Sequence, residues 1–205
     1  MKQILIVAMC FLIGGLAGCG DDEEIVAPDA GELISQGWKE YVAGNYEDAI
    51  AKHEEALELR QAAGLPEDSA DALAYNGIGW ARARLGQIRD SIESFKKAVA
   101  KDPGNADAHA GLAGAYLADD DYERAIASAK LVLSLRPEYA SHHDDIRAAD
   151  IRILLAECYY NTGDYAAAEV QIDLLGGSGK ALDAASPTYP ADLLSLIEEL
   201  AKKDS

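Results

Sequence analysis

After an opening apolar run, Ile4 to Ala17, the chain alternates between apolar stripes of helical spacing and short polar turns. The same turn is written four times: GNYEDAI from Gly44, GQIRDSI from Gly86, DDYERAI from Asp120 and GDYAAAE from Gly163. Before each turn lies a helical pattern with a small residue at a matched place, Gly37, Gly79, Ala113 and Ala156. After each comes a second pattern with a small residue near its start, Ala49, Ser91, Ala125 and Ala168. Alanine is abundant and β-branched residues never alternate with polar ones, which favours helices over strands. Matched small residues predict two antiparallel helices in close approach. The seam is then filled by Leu57 and Leu59, Phe95 and Val99, Val132 and Leu135, and Ile172 and Leu175. Pro103 and Pro137 end the second helices of the middle pairs.

The turns begin 42, 34 and 43 residues apart. Self-similarity at such a period marks stacked repeats, because no single pair can bury its apolar face alone. The pattern predicts an all-α solenoid of about four helix-turn-helix units over 31–176. A linker over 177–190 and a capping helix with its tail over 191–205 follow. Leu193, Leu194, Ile197 and Leu200 form the apolar side of that last helix, and Glu198, Glu199, Lys202 and Lys203 face solvent. Pro190 suits its start and the lysines suit its end.

Met1-Lys2 gives a positive start, and the apolar run after it is shorter than the ~20 residues that span a bilayer. Residues 1–18 therefore read as a secretory signal peptide. The run closes on LAGC, Leu16 to Cys19. This resembles the lipobox of bacterial lipoproteins, and the resemblance implies cleavage before Cys19 and acylation of that residue. Residues 19–30, acidic and proline-containing, would be the lipidated tether. The alternative is ordinary secretion with Cys19 in a disulfide, for which Cys158 is the one mature partner. Acyl chains bind at about 0.8 kcal/mol per buried CH₂, so two or more would hold even an acidic protein on a membrane. The expected address is the bacterial cell envelope, lipid-anchored. Gly20 in place of the retaining aspartate of some enteric bacteria points to the outer membrane, facing the periplasm, where the host has one.

The net charge of −18 over 205 residues excludes nucleic acid as a partner, since phosphate binding needs clustered Lys and Arg. It also excludes electrostatic docking on an anionic bilayer. An acidic surface of this kind keeps a chain soluble.

The third unit, AHAGLAGAYLADDDYERAIASAKLVLSLRP from Ala108 to Pro137, resembles the tetratricopeptide repeat. Leu112, Ala113, Tyr116, Tyr122, Ala125 and Pro137 sit where that pattern has Leu, small, Tyr, Tyr, Ala and Pro. The resemblance covers about Glu32 to Leu175. It departs at Arg82, in place of an aromatic, at Ser91, in place of alanine, and in the missing closing prolines of units one and four. The 42-residue spacing resembles the kinesin-light-chain type, in which both helices gain about a turn, here within Ala56 to Tyr75. The second long spacing, Arg136 to Leu155, is expected to lengthen the first helix of unit four.

The resemblance implies a right-handed superhelix whose first helices line a concave groove for a peptide or partner helix. It implies an interaction scaffold or assembly factor, not an enzyme, acting on another envelope protein and needing no cofactor or metal. In register with unit three, the groove residues are Trp38, Tyr41, Asn76, Trp80, Arg84, Leu117, Ile153, Glu157 and Tyr160, with Gly111 and Gly114 leaving space in its floor. Trp38 is open to a second reading. Tyr41 stands three residues before its turn glycine instead of four, a slip that can rotate Trp38 into the core. Trp80 is likewise either a groove residue or packed on a neighbouring helix. Aromatic, amide and mixed charge together suggest an apolar or basic peptide. The Lys and Asn set with which some family members clamp a C-terminal carboxylate is not evident.

The rival reading is a small-ligand or metal-binding envelope protein, or an enzyme accessory subunit, using the groove or the cluster His142, His143, Asp144 and Asp145. Successive helical residues point about 100° apart, so the two histidines cannot share a helix face. Ser141 is expected to cap a helix there, with the aspartates in its first turn. Cys158 falls in an apolar helix and reads as an inert thiol. GGSGK, Gly176 to Lys180, is a partial phosphate loop with Leu174 and Ala181 at two required places and no preceding strand. It reads as linker. Asp119 to Asp121 lack the glycine and glutamate of a calcium loop.

Overall fold

The computed structural model describes residues 29–176 and 182–203. The expected signal peptide, Cys19, the expected tether up to residue 28 and residues 177–181 of the expected linker lie outside the described residues. The helices are α1 (Ala30–Ala43), α2 (Tyr46–Ala62), α3 (Ser69–Arg84), α4 (Ile88–Lys101), α5 (Ala106–Ala118), α6 (Tyr122–Leu135), α7 (Ala148–Asn161), α8 (Tyr165–Leu174) and α9 (Tyr189–Lys203). The described residues hold no strand, only one isolated antiparallel bridge between Ala140 and Arg147. No described helix is long and apolar enough to cross a membrane.

All four repeated turns work the same way. Gly44, Gly86 and Gly163 take the left-handed conformation, with φ of 84°, 72° and 80°, and Asp120 takes it at φ 58°. Aspartate is one of the few side-chain-bearing residues that enters this region. Asp121 and Asp164 then cap the next helices, accepting from Arg124 N at 3.2 Å and Ala167 N at 3.1 Å. A Cβ at Gly86 would meet nothing within 4 Å, so an alanine there suffers only the conformational penalty. Gly86→Ala is expected to lower unfolding free energy by about 1–2 kcal/mol, read as a shift of the urea midpoint at constant slope.

Each helix packs on the next, and α1 on α3, α3 on α5, α5 on α7 and α7 on α9. The first helices of successive units thus form one layer. The predicted seam residues Gly37, Gly79, Ala113 and Ala156, and their counterparts Ala49, Ser91, Ala125 and Ala168, are all buried, with His53 against Gly37 and Phe95 against Gly79. Leu59 and Leu135, expected in the seam, are instead 41% and 39% exposed. The helix α9 occupies the place of a further first helix, burying Leu193, Leu196 and Ile197 against α7 and α8. Tyr189 fixes its start by donating to Glu169 Oε2 at 2.7 Å.

The two long spacings are used differently. Between units one and two they lengthen helices: α2 has 17 residues against 14 in α4, and α3 has 16 against 13 in α5. Arg60 closes the connection between them, donating to Asp71 and Asp68 at 2.7 Å each and to the Pro66 carbonyl at 3.0 Å. Between units three and four the expected longer helix does not form. The helix α7 starts only at Ala148, and the extra residues make a loop.

Candidate partner-binding face

That loop begins on a fixed stem. Tyr139 is buried and its hydroxyl donates to Asp107 Oδ1 at 2.8 Å on α5. Ser141 N donates to Ile146 O, and Ala148 N to Tyr139 O, both at 2.8 Å. The Ser141 hydroxyl accepts from His143 N and Asp144 N at 3.3 Å. Ser141 therefore organises a turn at the loop tip and does not cap a helix, because the backbone is already closed into a narrow hairpin.

The tip reaches across the layer of first helices to units one and two. The His143 ring stacks on Trp38 with centroids 3.6 Å apart and planes 8° from parallel. Tyr41 Oη donates to Asp144 Oδ2 at 2.7 Å, and Arg84 Nε donates to Tyr41 Oη at 3.1 Å. The Arg84 guanidinium also pairs directly with Asp144. The Asp144 side chain is 8% exposed, against 48% for Arg84. A carboxylate withdrawn this far from water is tolerable only when paired and hydrogen-bonded, and here it has both. Burial lowers the pKa of His143 and holds the Tyr41 phenol well above its ordinary value. The imidazole thus stacks neutral and the phenol stays a donor. Beside the tip lies an open cleft of about 860 Å³ lined by Val42, Arg84, Asp150 and the loop itself. Val42 stands 67% exposed in it.

The other expected groove residues divide. Arg84 and Glu157 are exposed, and Trp80, Leu117 and Tyr160 are half-buried. Asn76, Ile153 and Tyr41 are corrections: at 1%, 7% and 3% exposure they are buried, Asn76 and Ile153 because α3 and α7 are flanked on both sides by neighbours of the same layer, and Tyr41 in the core of units one and two and under the loop. Gly111 is a correction too. It leaves no space in a floor; a Cβ there would lie 2.2 Å from the Phe95 ring, whereas Gly114 does open on empty space. Trp38 is 9% exposed and belongs to the core, as the second reading of it has it. Its edge joins the core beside Tyr41 and His53, at 5.6 and 5.4 Å, and its face is what His143 covers. Trp80 packs its ring against Phe95 at 5.5 Å while keeping part of its surface free.

Two family models, each described as tetratricopeptide repeat, match residues 40–104 and 76–140. Over residues 40–140 the chain is similar to tetratricopeptide repeats. The structures of the same fold include BtubC from P. vanneervenii, 19% identical with a TM-score of 0.60, covering 77% of this chain and 68% of that one. PilW, described as a widely conserved type IV pilus biogenesis factor, is 19% identical with a TM-score of 0.59 over 80% and 67%. MamA is 19% identical with a TM-score of 0.56 over 84% and 81%. At these identities the likeness concerns the fold. No curated protein matches the sequence.

Tetratricopeptide register exposes a residue that the pattern reading had passed over. Nine positions after each turn residue stand His53, Phe95, Ala129 and Ile172, all between 0% and 1% exposed. Phe95 lies between Gly79 and Gly111, and His53 lies in the same way between Gly37 and Gly77. A Cβ at Gly77 would stand 2.1 Å from His53 Nε2. The nine-residue offset from the turn glycine is the signal in the sequence for His53. Neither of its ring nitrogens has a partner, and burial pushes its pKa down to about 4.

The metal reading of the loop meets a geometric obstacle. The His142 and His143 rings are 6.3 Å apart at 64°, His143 is stacked on Trp38, and Asp144 is held by Arg84. Among the described residues no three His, Cys, Asp or Glu side chains are grouped to hold an ion. Burial pushes the Cys158 thiol up to about 12, so it stays protonated and unreactive.

Proposed function

We propose that this protein is a lipid-anchored scaffold of the bacterial cell envelope that holds a partner polypeptide on its layer of first helices. The carrying observation is the make-up of that layer. Trp80, Arg84, Leu117, Glu157 and Tyr160 lie exposed or half-buried on α3, α5 and α7, joining aromatic surface to charges of both signs. Aromatic and arginine side chains concentrate binding energy at interfaces, and tetratricopeptide repeats generally bind partner proteins. The anchor is proposed from LAGC and Cys19, and the work, an assembly or accessory role, from the fold, which is also that of PilW, described as a type IV pilus biogenesis factor.

The test uses the full chain in its native envelope. A photo-crosslinking residue is placed at Leu117 on α5, and, as the comparison, at the exposed Leu131 on α6. A discrete adduct at position 117 that is missing at 131 is the expected result. Cys19→Ala is expected to move the protein from the membrane to the soluble fraction. Equal adducts at both positions, or none, would overturn the scaffold reading; a Cys19→Ala variant that stays on the membrane would overturn the anchor.

A further inference from the structure

The loop between α6 and α7 holds the place where a ligand would sit, and its chemistry describes that ligand. Trp38 offers a stacking plane, Tyr41 a phenolic donor and Arg84 a guanidinium. Two adjacent residues of the loop, His143 and Asp144, engage all three. On the receiving side the groups come from two units; on the occupying side they are consecutive. A short linear segment can therefore reproduce the whole contact. We infer that the Trp38–Tyr41–Arg84 face is a recognition site for an acidic polypeptide segment with a planar side chain beside a carboxylate, and that the 141–146 loop is a built-in occupant which this segment displaces.

Three observations support displacement without unfolding. The stem is held independently of the tip, by Tyr139 on Asp107, by the Ala140–Arg147 bridge and by the backbone bond from Ala148 to Tyr139. The helices α6 and α7 pack on each other directly. His142 and Asp145 are exposed and Ile146, at the loop's end, is half-buried beside the core, so the tip residues 142–145 can lift without drawing an apolar side chain out of it. The cleft beside it, with Val42 at its edge, gives an incoming chain a foothold before the loop has gone.

Charge selects the ligand. When Asp144 leaves, Arg84 and the Tyr41 hydroxyl lose the carboxylate that satisfies them together, and an apolar or basic peptide would leave both unpaired. The self-contact thus reverses the expectation of an apolar or basic partner drawn from composition. A tethered occupant also acts at an effective concentration of order millimolar, and an outside ligand's apparent affinity falls by the fraction of time the face is free. The site is therefore weak in the resting chain and strengthened by whatever draws the loop away.

This inference rests on the scaffold reading, but its test needs no envelope partner. The probe is a fluorescein-labelled peptide of the loop's own sequence, YASHHDDIR, read by anisotropy. An opened full-length variant, His143→Ala with Asp144→Ala, is expected to bind it at least ten-fold more tightly than wild type. Arg84→Ala in the opened background, and a peptide with both aspartates changed to asparagine, should each lose at least ten-fold. Equal helicity and melting temperature establish that the variants fold, and Asp144→Asn serves as a second, milder opened form. Equal binding by opened and wild-type chains, or equal binding of the asparagine peptide, would overturn the inference. Should the peptide fail while the Leu117 crosslink persists, the loop inference falls and the scaffold stands. Peptide binding without any Leu117 adduct leaves the site and removes the scaffold reading.

Discussion

Phe95→Ala is expected to lower the free energy of unfolding by about 3–5 kcal/mol. Phe95 is fully buried, and its ring is wedged between two glycines of different units. Added Cβ atoms at Gly79 and Gly111 would lie 2.6 and 2.2 Å from it. The backbones of α3 and α5 have thus come in as close as a ring allows, and Trp80 packs on it edge-on. Removing the ring loses its transfer free energy and leaves a hole that cannot collapse, because α3 and α5 are each held by further neighbours. A repeat array is stabilised by interfaces between adjacent units, so the loss falls on the joint between units two and three. Urea denaturation followed by circular dichroism measures it. A loss below 1 kcal/mol would mean that the two units do not share this core.

Acidification should remove about 3 kcal/mol through His53 alone. Its imidazole is buried without a partner, and burial lowers its pKa to about 4 from the ordinary 6.5. Between those two values the unfolded chain takes up a proton that the folded chain refuses. Stability therefore falls as pH drops from 6.5, and the loss is complete below about 4. His143, also lowered by burial, acts in the same direction and leaves a smaller residual slope. In His53→Phe the main acid-dependent loss should vanish. The substitution also removes two unsatisfied ring nitrogens, and should raise stability at pH 7 by about 1–3 kcal/mol. Phe95 occupies the equivalent position between its own pair of glycines, so room for a phenyl ring is built into this architecture. Chemical denaturation of both proteins at pH 7, 5 and 4 decides it. Parallel pH curves for wild type and His53→Phe would mean that another group carries the acid sensitivity.

The parts that repeat were legible along the chain. The turns at 44, 86, 120 and 163 and the small residues on either side of each recur at fixed offsets, and the structure turns the chain at the first and buries the second. Seam positions such as Leu59 and Leu135 were misplaced, because apolar spacing alone does not say which side of a stripe meets the partner helix. Lengthening of α2 and α3 was also readable, from the first long spacing. The second long spacing looked equally helical, yet tertiary contacts drew its residues into a hairpin: Tyr139 found Asp107, and Asp144 found Arg84 and Tyr41.

The sequence by itself determined the repeat, the all-helical class and the closeness of each helix pair, because these follow from local propensity and periodic small residues. The candidate face was decided only by the tertiary structure. Trp38 and His143 are far apart in sequence, and so are Tyr41 and Asp144. No local rule connects them; they meet because the loop between units three and four reaches back over the packed first helices to units one and two. The same stacking turned Asn76 and Ile153 inward and gave His53 its buried site. Periodicity specifies which residues form an interface between neighbours, while contacts across the array depend on the summed geometry of every unit between them.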